Sequence, residues 1–176
     1  MDIKVSSLIQ LKRSVAEFEP THIISVLDPD FAACHPLAFG ADVKVHHAHF
    51  YDDDDLARQT GSVEAHLAPV LQFLRQEVLS SDSHRLLVHC HAGASRSPAI
   101  AFMTYCLALG CEVEAFEQLL KICNKPWPSE NVVKIADQML DRKGRMIAAL
   151  QAYRANCPRR FEAYQRLNRR RNLFVY

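Results

Sequence analysis

Glycine is scarce in this chain, at 5 of 176 residues, and tryptophan occurs once. So little glycine excludes a glycine-periodic fibre and a flexible glycine linker. It also makes each glycine a position to question. No run of about 18 apolar residues occurs, which argues against a membrane-spanning helix. Met1-Asp2-Ile3-Lys4 is not a basic start followed by an apolar signal core, so a cytoplasmic location is expected. An excess of either charge is missing too: 21 Lys and Arg face 20 Asp and Glu, a net +1. No global field therefore points to nucleic acid as the partner. No C-x-x-C pair is present, which removes the usual structural zinc site. Six cysteines stand apart at positions 34, 90, 106, 111, 123 and 157. Several fall in apolar helical stretches, a pattern of buried thiols and not of a disulfide framework.

What remains is 49% hydrophobic, enough for the core of one domain. Residues 3–9 read as a strand and 11–18 as a short helix ended by Pro20. Residues 22–27 are a short apolar strand, and Asp28-Pro29-Asp30 turns out of it. Residues 31–42 carry no period and read as a loop. Residues 43–50 alternate as a strand, 51–61 are a polar acidic loop, and 63–79 have helical spacing. After a buried strand at 85–89 the chain is nearly all helical: 97–109, 112–123, 129–141, 144–155 and 159–170. Gly110 is the expected C′ residue of the first of these. Strands interleaved with helices, then helices, define an α/β domain. Its central, mostly parallel sheet should have four to five strands flanked by helices, with a helical C-terminal half. Residues 1–156 form the domain, and 157–176 a basic helical extension packed on it. Arg169-Arg170-Arg171 in that extension is a solvated face or an anionic-surface patch.

The most telling segment is His89-Cys90-His91-Ala92-Gly93-Ala94-Ser95-Arg96-Ser97. The apolar run Leu86-Leu87-Val88 enters it and a helical run leaves it, so it is a strand, a tight loop and a helix start. Such a loop aims several backbone N–H groups into one concavity at the positive end of a helix dipole. An anion or a thiolate is stabilised there, and a cysteine at the base becomes a nucleophile. The planar fork of Arg96 can hold two phosphoryl oxygens at once. Gly93 permits a backbone angle closed to other residues, or close approach of the anion. Ser97 can donate a hydrogen bond to the sulfur.

His89-Cys90-x-x-Gly93-x-x-Arg96-Ser97 resembles the signature loop of the cysteine-dependent protein tyrosine phosphatases. Ala92-Gly93 with Ser95-Arg96-Ser97 is most similar to the dual-specificity branch. Phe50-Tyr51-Asp52, with 136–140 and 144–146, resembles bacterial members. The resemblance implies a phosphatase-like fold and a metal-free, cofactor-free, two-step mechanism through a phosphocysteine. It implies Cys90 as nucleophile, Arg96 as transition-state clamp and Ser97 as helper of the departing sulfur. The backbone of His91, Ala92, Gly93, Ala94, Ser95 and Arg96 would bind phosphate, or sulfate in its place. His89 is expected to hydrogen-bond within the loop and hold Cys90, and Asn131 to brace the loop. The general acid would be an aspartate delivered by the strand at 43–50. Asp52 leads, with Asp53, Asp54 and Asp55 as competitors.

The resulting reading is hydrolysis of phosphotyrosine, extending to phosphoserine and phosphothreonine, on a protein or a small phosphomonoester. The chain is short, so a shallow pocket is expected. Rival readings are a lipid or small-molecule phosphatase, a non-catalytic phospho-binding protein, and a sulfurtransferase with a similarly curled loop. A calcium loop at the aspartate run lacks the spaced ligands and glycine. A histidine metal site at 46, 47 and 49 is a further rival.

Overall fold

The computed structural model describes residues 1–52, 64–160, 162–163 and 165–166. Four strands, β1 (Asp2–Ser7), β2 (His22–Leu27), β3 (Lys44–His49) and β4 (Arg85–Cys90), form one sheet in the order β1-β4-β2-β3. All three pairings are parallel. Parallel neighbours need crossovers, and helices supply them: α1 (Leu11–Phe18), α2 (Pro29–Cys34) and α3 (Glu64–Phe73). Central parallel strands are covered on both faces and read as apolar runs. Thus β2 is buried along its whole length, and β4 at every residue after Arg85. The edge strands β1 and β3 are only partly buried.

Side chains alternate across the sheet. Ile24, Val26, Leu86, Val88 and Cys90 join the main core, whereas Ile23 and Leu87 join Leu11 in a smaller one on the other face. The main core is organised by α4 (Arg96–Leu109), which follows β4 directly. Residues Ala99 to Met103 of α4 are fully buried. An all-round apolar helix belongs at the centre of a domain. Around it pack α5 (Glu112–Ile122), α6 (Glu130–Met139) and α7 (Arg145–Ala155). Gly110 takes φ 72° and returns its N–H to the Cys106 carbonyl at 3.1 Å, the expected left-handed stop. Asp137, buried in α6, caps α7: Gly144 N donates to Oδ1 at 2.7 Å and Met146 N to Oδ2 at 2.9 Å.

The structure corrects two sequence expectations. Residues 29–34, read there largely as loop, form the six-residue helix α2 with Pro29 at its first turn. It buries none of its residues, so it shows no apolar period. The helix expected over 63–79 is α3 followed by a π-helical turn over Leu74–Val78. There Leu79 N reaches the Leu74 carbonyl at 2.9 Å. The wider turn keeps both Leu74 and Val78 in the core. In the helix expected over 159–170, residues 161, 164 and 167–170 lie outside the described residues, as does the arginine run at 169–171. No described helix is long and apolar enough to cross a membrane.

Candidate active site

The chain connections reverse direction at β4, which is inserted between β1 and β2. In open α/β sheets the crevice at such a point, beyond the strands' carboxyl ends, is where ligands bind. Cys90 ends β4 at that place and is 1% exposed. Its Sγ lies 3.1 Å from Ser97 Oγ and accepts the Gly93 N–H at 3.3 Å. Gly93 has φ 69°, and a Cβ there would lie 2.7 Å from Ser7 N. Glycine is therefore required twice over, for its conformation and for close approach to the end of β1.

The loop's carbonyls are tied outward. His91 O accepts from Leu8 N at 3.1 Å, Ala94 O from Trp127 N at 2.8 Å, and Ser95 O from Ala99 N at 3.1 Å and Ser129 N at 3.3 Å. In a trans peptide the next N–H points opposite to the carbonyl. The amides of Ala92, Ser95 and Arg96 are thereby turned away from these partners. Asn131, 6% exposed, sits two residues past Ser129 in the first turn of α6.

Arg96 is 2% exposed. Its Nη1 donates to Asp28 Oδ1 at 2.6 Å and to the Phe50 carbonyl. Its Nε lies 3.9 Å from Asp52 Oδ2 and is buried with no hydrogen-bond partner among the described residues. Burial works against the charge of Arg96, but Asp52, Cys90 and Asp28 outweigh it and raise its pKa. Asp52 Oδ1 accepts the Ser95 hydroxyl at 2.6 Å, so the segment that follows β3 reaches the loop after β4. Asp53, Asp54 and Asp55 lie outside the described residues.

Asp28 is the site residue that the sequence did not reveal. Besides Arg96, it meets the His91 ring, whose Nε2 accepts from Asp28 N at 3.5 Å. His91 stands edge-on to Phe31 with centroids 4.7 Å apart. Burial, with Arg96 adding to it and Asp28 opposing, lowers the His91 pKa, in keeping with a neutral ring that accepts.

His89 departs from expectation. Neither ring nitrogen has a hydrogen-bond partner among the described residues, and the ring is 0% exposed. Strand alternation is the reason: Cys90 faces α4, so His89 faces the opposite side of the sheet, towards Phe39. Burial first, then His91, His47 and Arg96, push its pKa down to about 4. Consecutive residues of β3 likewise point His46 and His47 to opposite faces. No group of three metal-ligating residues forms among the described residues.

A strand, a curled loop with a cysteine at its base and an arginine opening a central helix define the fold of the cysteine-dependent phosphatases, of dual-specificity and tyrosine type. Solved structures of that kind match the chain. Human DUSP28 is 16% identical with a TM-score of 0.57, over 88% of this chain and 94% of that one. Cydia pomonella PTP-2 phosphatase is 22% identical with a TM-score of 0.56, over 78% and 85%. The Yvh1 phosphatase domain of Chaetomium thermophilum is 20% identical with a TM-score of 0.55, over 82% and 93%. No protein-family model and no curated protein matches the chain.

Proposed function

We propose that this chain is a phosphomonoester hydrolase acting on phosphotyrosine, and on phosphoserine and phosphothreonine as far as a shallow pocket admits them. The observation that carries the reading is the convergence of Cys90, Ser97, Arg96 and Asp52 on one loop at the sheet's carboxyl end. The substrate's phosphate group enters the loop, where the amides from His91 to Arg96 and Arg96 Nε, which has no hydrogen-bond partner among the described residues, donate to its equatorial oxygens. Cys90 Sγ attacks phosphorus in line, and the P–O bond to the leaving oxygen breaks. Asp52, released from Ser95, gives that oxygen its proton. In the second step the same carboxylate takes a proton from water, water attacks phosphorus, and the P–S bond breaks. Ser97, 3.1 Å from the sulfur, stabilises it as it departs. Asp28 keeps the Arg96 guanidinium aligned, and Asn131 braces the loop from behind Ser129.

The test is hydrolysis of p-nitrophenyl phosphate between pH 5 and 7, with Cys90→Ser alongside. Turnover by the native chain and none by the variant is expected, while the variant still binds vanadate or phosphate. No turnover by the native chain refutes the enzyme reading and leaves a phospho-binding protein. Turnover by Cys90→Ser refutes the mechanism.

A further inference from the structure

Residues 126–129, on the connection between α5 and α6, lie between the signature loop and the C-terminal end of α7. Pro126 and Pro128 carry no backbone N–H, so the backbone donors of this segment are Trp127 and Ser129. Both are directed at the loop: Trp127 N donates to Ala94 O at 2.8 Å and Ser129 N to Ser95 O at 3.3 Å. The carbonyls that share peptide units with those donors turn the other way, to two adjacent residues of α7. The Tyr153 hydroxyl donates to Pro126 O at 2.8 Å, and Arg154 Nη2 to Pro128 O at 3.0 Å. The C=O and N–H of a trans peptide point in opposite directions, and no peptide bond among the described residues is cis. The units 126–127 and 128–129 therefore each reach from α7 at one end to the loop at the other.

Two relays result. One runs from Tyr153 through unit 126–127 to the Ala94 carbonyl, whose own peptide unit ends in the Ser95 N–H. The other runs from Arg154 through unit 128–129 to the Ser95 carbonyl, whose unit ends in the Arg96 N–H. Ser95 O also accepts the Ala99 N–H at 3.1 Å, so the second relay adds to the bond of α4 itself. Each relay begins at a cation, because Arg160 donates to the Tyr153 hydroxyl. Hydrogen bonds in series polarise one another, so a cation at the far end strengthens the N–H donor at the near end. Arg154 is fixed for this purpose: Nη1 pairs with Glu130, and the guanidinium lies over the Trp127 ring, 4.6 Å from its centroid. The Ala92 amide belongs to neither relay, since the carbonyl of its unit, His91 O, is held by Leu8 N.

We propose that Tyr153 and Arg154 are positioning residues for phosphate binding, which set the direction and donor strength of the Ser95 and Arg96 amides through these two peptide units. The proposal rests on the phosphatase reading and extends the site to the far end of α7.

The experiment pairs amide NMR spectra with calorimetric titration of orthovanadate, both on the whole chain. Tyr153→Phe removes the hydroxyl and keeps the ring, whose centroid is 5.1 Å from that of Phe116. It should move the Ser95 amide proton to higher field, Arg154→Met should do the same to Arg96, and neither should move Ala92. Each variant should bind orthovanadate about twofold more weakly, the effect of weakening one charge-assisted hydrogen bond by about 10–30%. Arg145→Met is the control: it breaks a 3.0 Å bond from α7 to Glu112, away from residues 126–129, and should leave both readouts unchanged. Unmoved Ser95 and Arg96 amides, unchanged orthovanadate binding in the two variants, or an equal loss in Arg145→Met overturns the proposal. Neither readout needs turnover. Failure of the phosphatase reading therefore appears as inactivity of the native chain towards p-nitrophenyl phosphate, and failure of the relays as unmoved amides in an active chain.

Discussion

Acid should unfold this protein through His89, and the size of the effect follows from where the ring sits. The imidazole is fully buried, has no hydrogen-bond partner among the described residues and is pushed from 6.5 to about 4. In the unfolded chain it regains its ordinary value. Between those two values the unfolded chain binds the proton and the folded one resists it, so stability rises with pH and is lost on acidification. The loss begins as pH falls through about 6.5 and is complete near 4, reaching about 3 kcal/mol for the full shift. Between pH 7 and pH 5 it amounts to about 2 kcal/mol, or roughly 4–8 °C in Tm for a chain of this length. His22, His46, His47 and His91 are also lowered, each with burial as its largest cause, so they add to the loss with the same sign. The assay is thermal unfolding by circular dichroism at pH 5, 6 and 7, for the native chain and for His89→Gln. The variant should be less stable at pH 7, because a buried amide replaces the ring. Its fall in Tm from pH 7 to pH 5 should nevertheless be smaller than the native fall by roughly 4–8 °C. A variant with the native pH slope refutes the assignment, since only a titrating group changes the slope.

Four further outcomes test the site and its frame. Asp52→Ala should slow aryl phosphate turnover by roughly 10²–10⁴-fold, the size of a lost general acid, measured as kcat; an unchanged rate moves the acid to another aspartate. Asp28→Asn should lower kcat/KM about ten- to a hundredfold by freeing Arg96 from its 2.6 Å partner, whereas Asp30→Asn, two residues on, should leave it unchanged. Gly93→Ala should cost about 2–4 kcal/mol in denaturant unfolding, because its Cβ would meet backbone at 2.7 Å in a left-handed conformation. Asp137→Ala should lose about 1–2 kcal/mol with kcat/KM intact, since its carboxylate caps α7 through bonds of 2.7 and 2.9 Å and touches no site residue.

Parts of this molecule were legible because local chemistry dictates them. β2 and β4 announce themselves as apolar runs because central parallel strands have no polar face to show. Gly110 announces the end of α4 because few other residues take its backbone angle readily. The placing of Asp52 was legible in the same sense, as the residue that a strand must deliver to the sheet's carboxyl end. Asp28 was not, because its partner Arg96 is 68 residues away and no periodicity joins them. α2 escaped because six residues with none buried carry no pattern. His89 misled for a simpler reason: a residue next to a nucleophile in sequence lies across the sheet from it in a strand.

The same distinction governs how the loop works. The motif supplies the thiol, the guanidinium and the glycine, and these could all be present in a chain that holds no anion. What shapes the loop is that its carbonyls at His91, Ala94 and Ser95 are occupied elsewhere, by Leu8, Trp127 and Ser129 as well as by the first turn of α4. Leu8 follows β1, and Trp127 and Ser129 precede α6, so two distant parts of the chain must both be in place before the loop takes this shape. Each of these three outside partners gives its backbone N–H. A backbone contribution leaves no residue-type signature. The thiol and the guanidinium are therefore written in the nine residues of the motif, while part of the loop's shape is held by backbone N–H groups that leave no mark in the sequence.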